Sequence, residues 1–383
     1  MHERDINESQ QSYFFILSFQ VFFTFIIRNR IKENNDSNLD SLLASAIWWF
    51  SDMTSSSSKN SRYISSLFVV RKKRGDHLFY GLVIGAAAYT LLMVGLVGFS
   101  VTRGSVDIFL AEGIEFVFQS NWNAVEGREA FGAFPYIIGT LLSSAIAMVI
   151  GVPISLGIAI FISEIAPPRI GTPLSFITEL LAAVPSIIYG LWALFVFRFW
   201  VRDLIEKPLY DAFGGHIPFF AKTPFGLDIF TAGIVLAIMI IPIISSICRE
   251  VMRVVPDSQR EAAYSLGATR WETIRMAVFP YVKSGIVGAA MLGLGRAVGE
   301  TILVTMVIGN VIGPSAIPTS FFSQGQTLAS LVANEFNEAS SDLHLSALIA
   351  LGLILLVLTM GINVVARLLV KKKIKASSGA KSQ

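Results

Sequence analysis

An all-α membrane bundle of six spans is the fold class this sequence predicts, and three observations predict it. Of the 383 residues only 15% are charged and 53% are hydrophobic, whereas soluble domains carry about 25% charged residues. Six stretches have the roughly 20 apolar residues that a span needs: His77–Val101, Tyr136–Ile162, Leu174–Phe197, Ile229–Cys248, Gly285–Ile308 and Leu345–Leu369. Lys and Arg in the connections are biased to one side. That side holds Arg71, Lys72, Lys73 and Arg74, then Arg169, then Arg249, Arg253, Arg260, Arg270, Arg275 and Lys283, and finally Arg367, Lys371, Lys372, Lys373, Lys375 and Lys381. The other side holds only Arg103, Arg128, Arg198, Arg202, Lys207 and Lys222. An even number of spans puts both ends of the core on one side. The charge bias makes that side the cytoplasm.

Residues 1–76 stand apart from this core. Tyr13–Ile27 is an apolar run too short for a comfortable span, followed by Arg28, Arg30 and Lys32. It reads as a seventh hydrophobic segment, as an interfacial helix, or as sequence upstream of a start at Met53. Acidic residues among the first ten and the lack of a small-x-small cleavage site argue against a secretory signal. Residues 77–370 form the membrane domain, and 371–383 a basic cytoplasmic tail. In the third span Pro185 predicts a kink. Ser186 and Tyr189 beside it offer hydroxyls to a passing anion, or simply pack. Glu179 is placed near the cytoplasmic end of its helix, within reach of a basic loop residue. The outward loops Arg103–Pro135 and Val201–Asp228 have room for short helices. Gly313–Leu343 carries Pro314 and Pro318, then a helix-like polar piece; connection plus a docking surface is the reading of all three.

The loop 257–280 is too structured to be a mere connector. Ser258-Gln-Arg-Glu261 and Thr269-Arg-Trp-Glu272 both fit a capping box, in which hydroxyl and carboxylate satisfy each other's free backbone N–H groups. Gly267 suits a left-handed helix C-terminus. Trp271, Ile274 and Val278 form one apolar stripe, and Pro280 is expected to end the second helix as the chain re-enters the bilayer.

In the fifth span Arg296 and Glu300 sit four residues apart, which on one helix puts them on one face. Each costs at least ~2.5 kcal/mol near the bilayer centre, so they are expected to face the bundle interior or a wet path. Gly285, Gly288, Gly293, Gly295 and Gly299 give close-packing surfaces. The Arg fork suits a tetrahedral oxyanion. Glu300 would hold the guanidinium when the path is empty and accept from a protonated oxyanion. A purely structural ion pair is the alternative. Thr301 and Thr305 extend this face.

Glu261-Ala262-Ala263, three residues and then Gly267 resembles the EAA loop of bacterial ABC-importer permeases. Pro280 matches the end of that pattern, while Ala277 and Phe279 depart from it but stay apolar. The resemblance implies a type I importer fold and docking of Glu261, Ala262, Ala263 and Gly267 into a separate ATPase. The block from Gly295 to Asn310, with Glu164-Ile-Ala-Pro-Pro-Arg169 and Glu179-Leu-Leu-Ala-Ala-Val-Pro-Ser-Ile-Ile-Tyr189, resembles the PstC-type permease family of phosphate importers over about residues 75–370. That resemblance implies a bacterial inner-membrane protein that pairs with a PstA-type permease, with an ATP-binding subunit dimer below and a periplasmic phosphate-binding protein outside. It implies no cofactor and no chemistry in this chain. Arg296, Glu300, Thr301, Ser186 and Tyr189 would line the path.

Several classes are disfavoured. One cysteine, Cys248, rules out an intramolecular disulfide or a CxxC site. His2, His77, His216 and His344 have no ligand spacing, and there is no Walker A motif. Permeases for sulfate, molybdate or phosphonate remain as alternatives. So does an ATPase-independent carrier, although the inverted repeats such carriers tend to show are not visible.

Overall fold

The computed structural model describes residues 74–379 except 126. The reading of Tyr13–Ile27, and most of the 1–76 extension, lies outside the described residues. Helix α1 covers Arg74–Gly104. By contacts the chain divides between Ile84 and Gly85, and all the other helices belong to the second unit.

Helix α2 is Phe134–Ile160, continued by a π-helical turn at Phe161–Ile165. Helices α3 (Pro168–Ala182) and α4 (Ser186–Trp192) come next. Then come α5 (Ile229–Arg253), α6 (Asp257–Ser265) and the single turn α7 (Arg270–Thr273). The chain continues through α8 (Phe279–Gly299), α9 (Ile302–Val307), α10 (Leu328–Glu335) and α11 (Asp342–Gly379). Among the described residues five helices are long and apolar enough to span a membrane, or six if a bent pair counts as one. That pair is the expected third span. It bends by 90° between Ala182 and Ser186, with Pro185 capping the second piece. The expected kink is thus a full corner, because Pro185 has no N–H to donate and disfavours α geometry in the residue before it.

The membrane core centres on α5, whose Ile240, Ile244, Cys248 and Met252 are fully or almost fully buried. Small residues let its neighbours approach. A Cβ on Gly233 would meet Ile146 at 2.6 Å and the Ser143 carbonyl at 3.3 Å, and the Ser155 hydroxyl of α2 donates across to the Ile241 carbonyl at 3.2 Å. On α8, Gly285 abuts Val251 and Gly293 abuts Ile244, as close packing by small residues requires. Gly288, Gly295 and Gly299 instead face open space, so no neighbour among the described residues uses the Gly295–Gly299 pair.

A second core forms from the connections. A two-residue hairpin pairs Trp122 with Phe131. Phe116, Tyr136, Leu328 and Leu348 pack with it. The short helices expected in the loop after α1 are present at Val106–Ala111 and Glu115–Phe118.

Candidate functional site

Loop 254–280 starts from the end of α5. Pro256, not Ser258, is the N-cap of α6, and no side chain caps it. The expected Ser258–Glu261 capping box is therefore not formed. Pro256 already sets the φ of a helix entry, which moves the start two residues earlier than the hydroxyl needs. The C-terminus is as expected. Gly267 has φ +80°, its N–H donates to the Tyr264 carbonyl at 2.9 Å, and Ala268 N–H reaches back to Ala263 at 3.1 Å. Together these make a Schellman turn. Thr269 and Glu272 form the second capping box in full. Bonds from the Thr269 backbone and hydroxyl hold the Glu272 carboxyl below its ordinary pKa.

Two expectations about the second helix fail. Pro280 does not end it. The helix runs from Arg270 to Gly299, because a π-helical turn at Ile274–Val278 lets Phe279 N–H bond the Ile274 carbonyl. The wider turn absorbs the donor that Pro280 lacks and the clash its ring would cause. Trp271 is also off the buried stripe: Ile274 and Val278 are buried, but Trp271 is 61% exposed. Together with exposed Leu266 and half-exposed Tyr264 it gives the loop an apolar outer face. Glu261, Ala262 and Gly267 are exposed and Ala263 half-buried, so three of the four positions are open among the described residues.

The loop is held by Arg260. Its Nε and Nη2 donate to the two oxygens of Glu164 at 3.1 and 2.9 Å. Its Nη1 bonds the Val255 carbonyl at 2.7 Å and its Nη2 the Met252 carbonyl at 3.0 Å. A cavity of about 460 Å³ opens beside this contact, bordered by Glu164, Pro167, Tyr264 and Arg270. Nearby, Glu179 takes the basic partner anticipated for it: Arg249, buried in the last turns of α5, donates to it at 2.6 Å.

At the other end of the long helix, the fifth span is not continuous to Ile308. Helix α8 stops at Gly299, Glu300 is extended (φ −71°, ψ 126°), and α9 restarts after Thr301. The shared face proposed for Arg296 and Glu300 is lost, and no ion pair joins them. Arg296 is exposed in the last turn of α8 and has neither a hydrogen bond nor an ion pair among the described residues. Glu300 is 9% exposed, and its Oε1 is 3.5 Å from Leu303 N–H. Periodicity missed the break because Gly299 and Glu300 interrupt the backbone but not the run of apolar residues.

The two broken spans meet. Gly190 of α4 lies so close to α9 that a Cβ there would sit 3.2 Å from the Leu303 Cα and 2.7 Å from the Met306 sulfur. This brings the segment of Ser186 and Tyr189 beside the segment that follows Thr301. Both side chains are half-buried. The Tyr189 hydroxyl donates to the Leu181 carbonyl at 2.9 Å and so braces the corner. Thr305 back-bonds the Thr301 carbonyl at 2.8 Å, and Thr301 has only a long contact to Gly299 at 3.4 Å. Backbone breaks of this kind inside a membrane bundle are tolerated where they are buried or line a cavity.

Three polar centres were not legible in the sequence. Trp122 Nε1 donates to Glu335 at 2.7 Å, and His344 contacts the same carboxylate at 3.0 Å while stacking on Phe131. Thr231 binds two buried carboxylates: its hydroxyl donates to Glu206 and its N–H to Asp228, each at 2.8 Å. The Arg260–Glu164 contact spans almost a hundred residues of sequence. Apart from Asp228 and Thr231, an N-cap contact three residues apart, no spacing rule connects these pairs.

Comparison with known proteins adds the family. Residues 151–375 match the family described as binding-protein-dependent transport system inner membrane component. The chain is 46% identical over 289 residues to the phosphate transport system permease protein PstC of Pasteurella multocida, covering 75% of this chain and 88% of that protein. It is 44% identical over 317 residues to PstC of Haemophilus influenzae, covering 82% and 95%. A PstC from Mesorhizobium japonicum is 42% identical over 309 residues, covering 80% and 92%.

Proposed function

We infer the function from one premise: the chain belongs to the family of binding-protein-dependent transport system inner membrane components. It is a permease subunit of an ATP-driven phosphate importer, with several membrane-spanning helices. The 46% identity across three quarters of the chain carries the substrate assignment. The subunit transports rather than catalyses, and a system of this class works with ATP-binding subunits and a substrate-binding protein.

The finer reading goes further. We propose that residues 77–370 form a heterodimer with a PstA-type permease and that both ends of this core are cytoplasmic, in line with the Lys and Arg bias. Glu261, Ala262, Ala263 and Gly267 then dock on the ATPase, supported by the exposure of Glu261, Ala262 and Gly267. ATP-driven approach of the two ATPases displaces loop 257–280. The helix from Arg270 to Gly299 is unbroken over 30 residues, about 45 Å at ~1.5 Å per residue. It carries that displacement to Arg296. Arg296 presents an unengaged guanidinium fork, which suits bidentate bonds to a tetrahedral oxyanion. Buried Glu300 accepts a hydrogen bond from the protonated form of the anion, which favours hydrogen phosphate over sulfate. Ser186, Tyr189 and Thr301 flank the path at the two backbone breaks.

Uptake of labelled phosphate by the reconstituted importer, challenged with excess sulfate, molybdate or phosphonate, tests the substrate. Phosphate uptake is expected to persist. Equal competition by sulfate would overturn the assignment.

A further inference from the structure

The proposed function gives the segment Glu164-Ile-Ala-Pro-Pro-Arg169 no role, yet its first residue makes a bidentate, shielded ionic contact with the loop. Glu164 lies at the end of α2 and Arg260 lies on α6, the helix that carries Glu261. The two meet through both carboxylate oxygens, at 3.1 and 2.9 Å. The same guanidinium bonds the Met252 and Val255 carbonyls at the end of α5, at 3.0 and 2.7 Å, and Asp257 at 3.1 Å. The Arg260 side chain is 18% exposed and that of Glu164 only 7%. One planar group therefore binds the last turn of α2, the last turn of α5 and the first turn of α6.

This geometry differs from an ordinary surface ion pair. Surface pairs are held in one geometry weakly and contribute little. Here the fork is bidentate and largely shielded. Its remaining donors bond the Val255 carbonyl and the Met252 carbonyl, the latter also accepting from Val255 N–H at 3.3 Å. Helices α2 and α5 are in turn locked to each other along their length, through Gly233 against Ile146 and Ser143, Gly151 against Ile240, and the Ser155–Ile241 hydrogen bond. On the other side of α6 the chain passes through Gly267, at φ +80°, before the helix that leads to Arg296 begins. The loop thus has two outputs. One is covalent, through Gly267 and the Arg270–Gly299 helix. The other runs back to α5 through the short link 254–256, and to the end of α2 through the Arg260–Glu164 contact.

We propose that Glu164 and Arg260 are positioning residues that clamp the loop helix α6 to the ends of α2 and α5, so that displacement of the loop moves this helix pair as one body with it. The inference rests on the coupling role given to loop 257–280.

The test uses the complete importer reconstituted in vesicles, with phosphate uptake and ATP hydrolysis measured together. Glu164→Gln keeps the shape and one acceptor but removes the charge. It is expected to lower the phosphate moved per ATP hydrolysed by about fivefold or more, roughly the loss of one charge-assisted hydrogen bond, with the ATPase still bound. Arg260→Lys, which cannot form the fork, should do the same. Uptake and hydrolysis falling in equal proportion, or neither falling, would overturn the proposal. A second arm does not depend on how the variants fold. Cysteines placed at 164 and 260 are joined by a short reducible cross-linker, the native Cys248 being buried. Uptake is expected to survive cross-linking, because the joined parts move together. Arrest that is reversed by reductant would show that they must separate, and would overturn the clamp. Glu261→Lys run in parallel separates the two layers. If its ATPase stays bound and active, the coupling reading fails. If the ATPase is lost there while Glu164→Gln transports normally, only the clamp fails.

Discussion

The two ends of the helix running from Arg270 to Gly299 are built on opposite principles. At the loop end the groups that shape the chain reversal are committed. Glu272 caps Thr269, Arg260 serves Glu164 and two helix-terminal carbonyls, and the turn at Gly267 closes with two backbone bonds. At the far end the backbone breaks at Glu300, Arg296 has no partner among the described residues, and Glu300 has one long contact at 3.5 Å. A saturated end transmits force because its parts cannot rearrange cheaply. A buried carboxylate with one long contact, as at Glu300, is expensive to keep, and an incoming ligand could supply partners to it and to the exposed Arg296. Under the proposed function, the contrast would separate a lever from a substrate site on a single helix.

Charge reversal at the unsaturated end should have the largest effect. Arg296→Glu is expected to cut phosphate uptake by about 100-fold, corresponding to roughly 3 kcal/mol of lost charge-assisted hydrogen bonding, while the subunit still co-purifies with its partners. Loss of assembly instead of transport would make Arg296 structural and erase the contrast. At the saturated end Glu261→Lys should release the ATPase and lower uptake by about tenfold or more, measured by co-purification and uptake together. Retained ATPase would show that the exposed face of α6 is not a docking surface.

Gly267→Ala probes the hinge alone, since a Cβ there meets nothing within 4 Å. The only cost is the left-handed backbone, about 1–2 kcal/mol. Amide exchange across residues 257–273 should quicken about five- to thirtyfold without change in the membrane helices. Unchanged exchange would mean that the turn does not hold the loop. The smallest effect concerns the capping box. Because the folded-state pKa of Glu272 is lowered, its contribution is present above the ordinary Glu range and is lost as pH falls through the folded value. Exchange in residues 269–273 should therefore rise on acidification, and Glu272→Gln should flatten that dependence. An identical acid response in the variant would remove the carboxylate from the account.

Local rules read part of the loop and one corner of the bundle and missed the rest. The Thr269–Glu272 box, the turn at Gly267 and the corner at Pro185 each depend on residues within a few positions, so spacing alone located them. The failures share a cause as well. Ser258 lost its capping role to Pro256, two residues before it. Pro280 lost its breaking role to a π-helical turn before it. The Arg296–Glu300 pair assumed a continuous helix, and hydropathy is blind to a backbone break flanked by apolar residues on both sides.

Composition and run length determined the membrane class and the candidate spans, and spacing singled out the loop 257–280. These properties follow from the chain's own covalent periodicity and its transfer from water to lipid. Only the tertiary structure decided that the fifth span breaks at Glu300 and meets the third at Gly190 and Leu303, that Arg296 stands free among the described residues, and that Arg260 ties α6 to α2 and α5. Those outcomes depend on which helices are neighbours. Adjacency is set by packing small residues against large ones across distant parts of the chain, and no local pattern contains it.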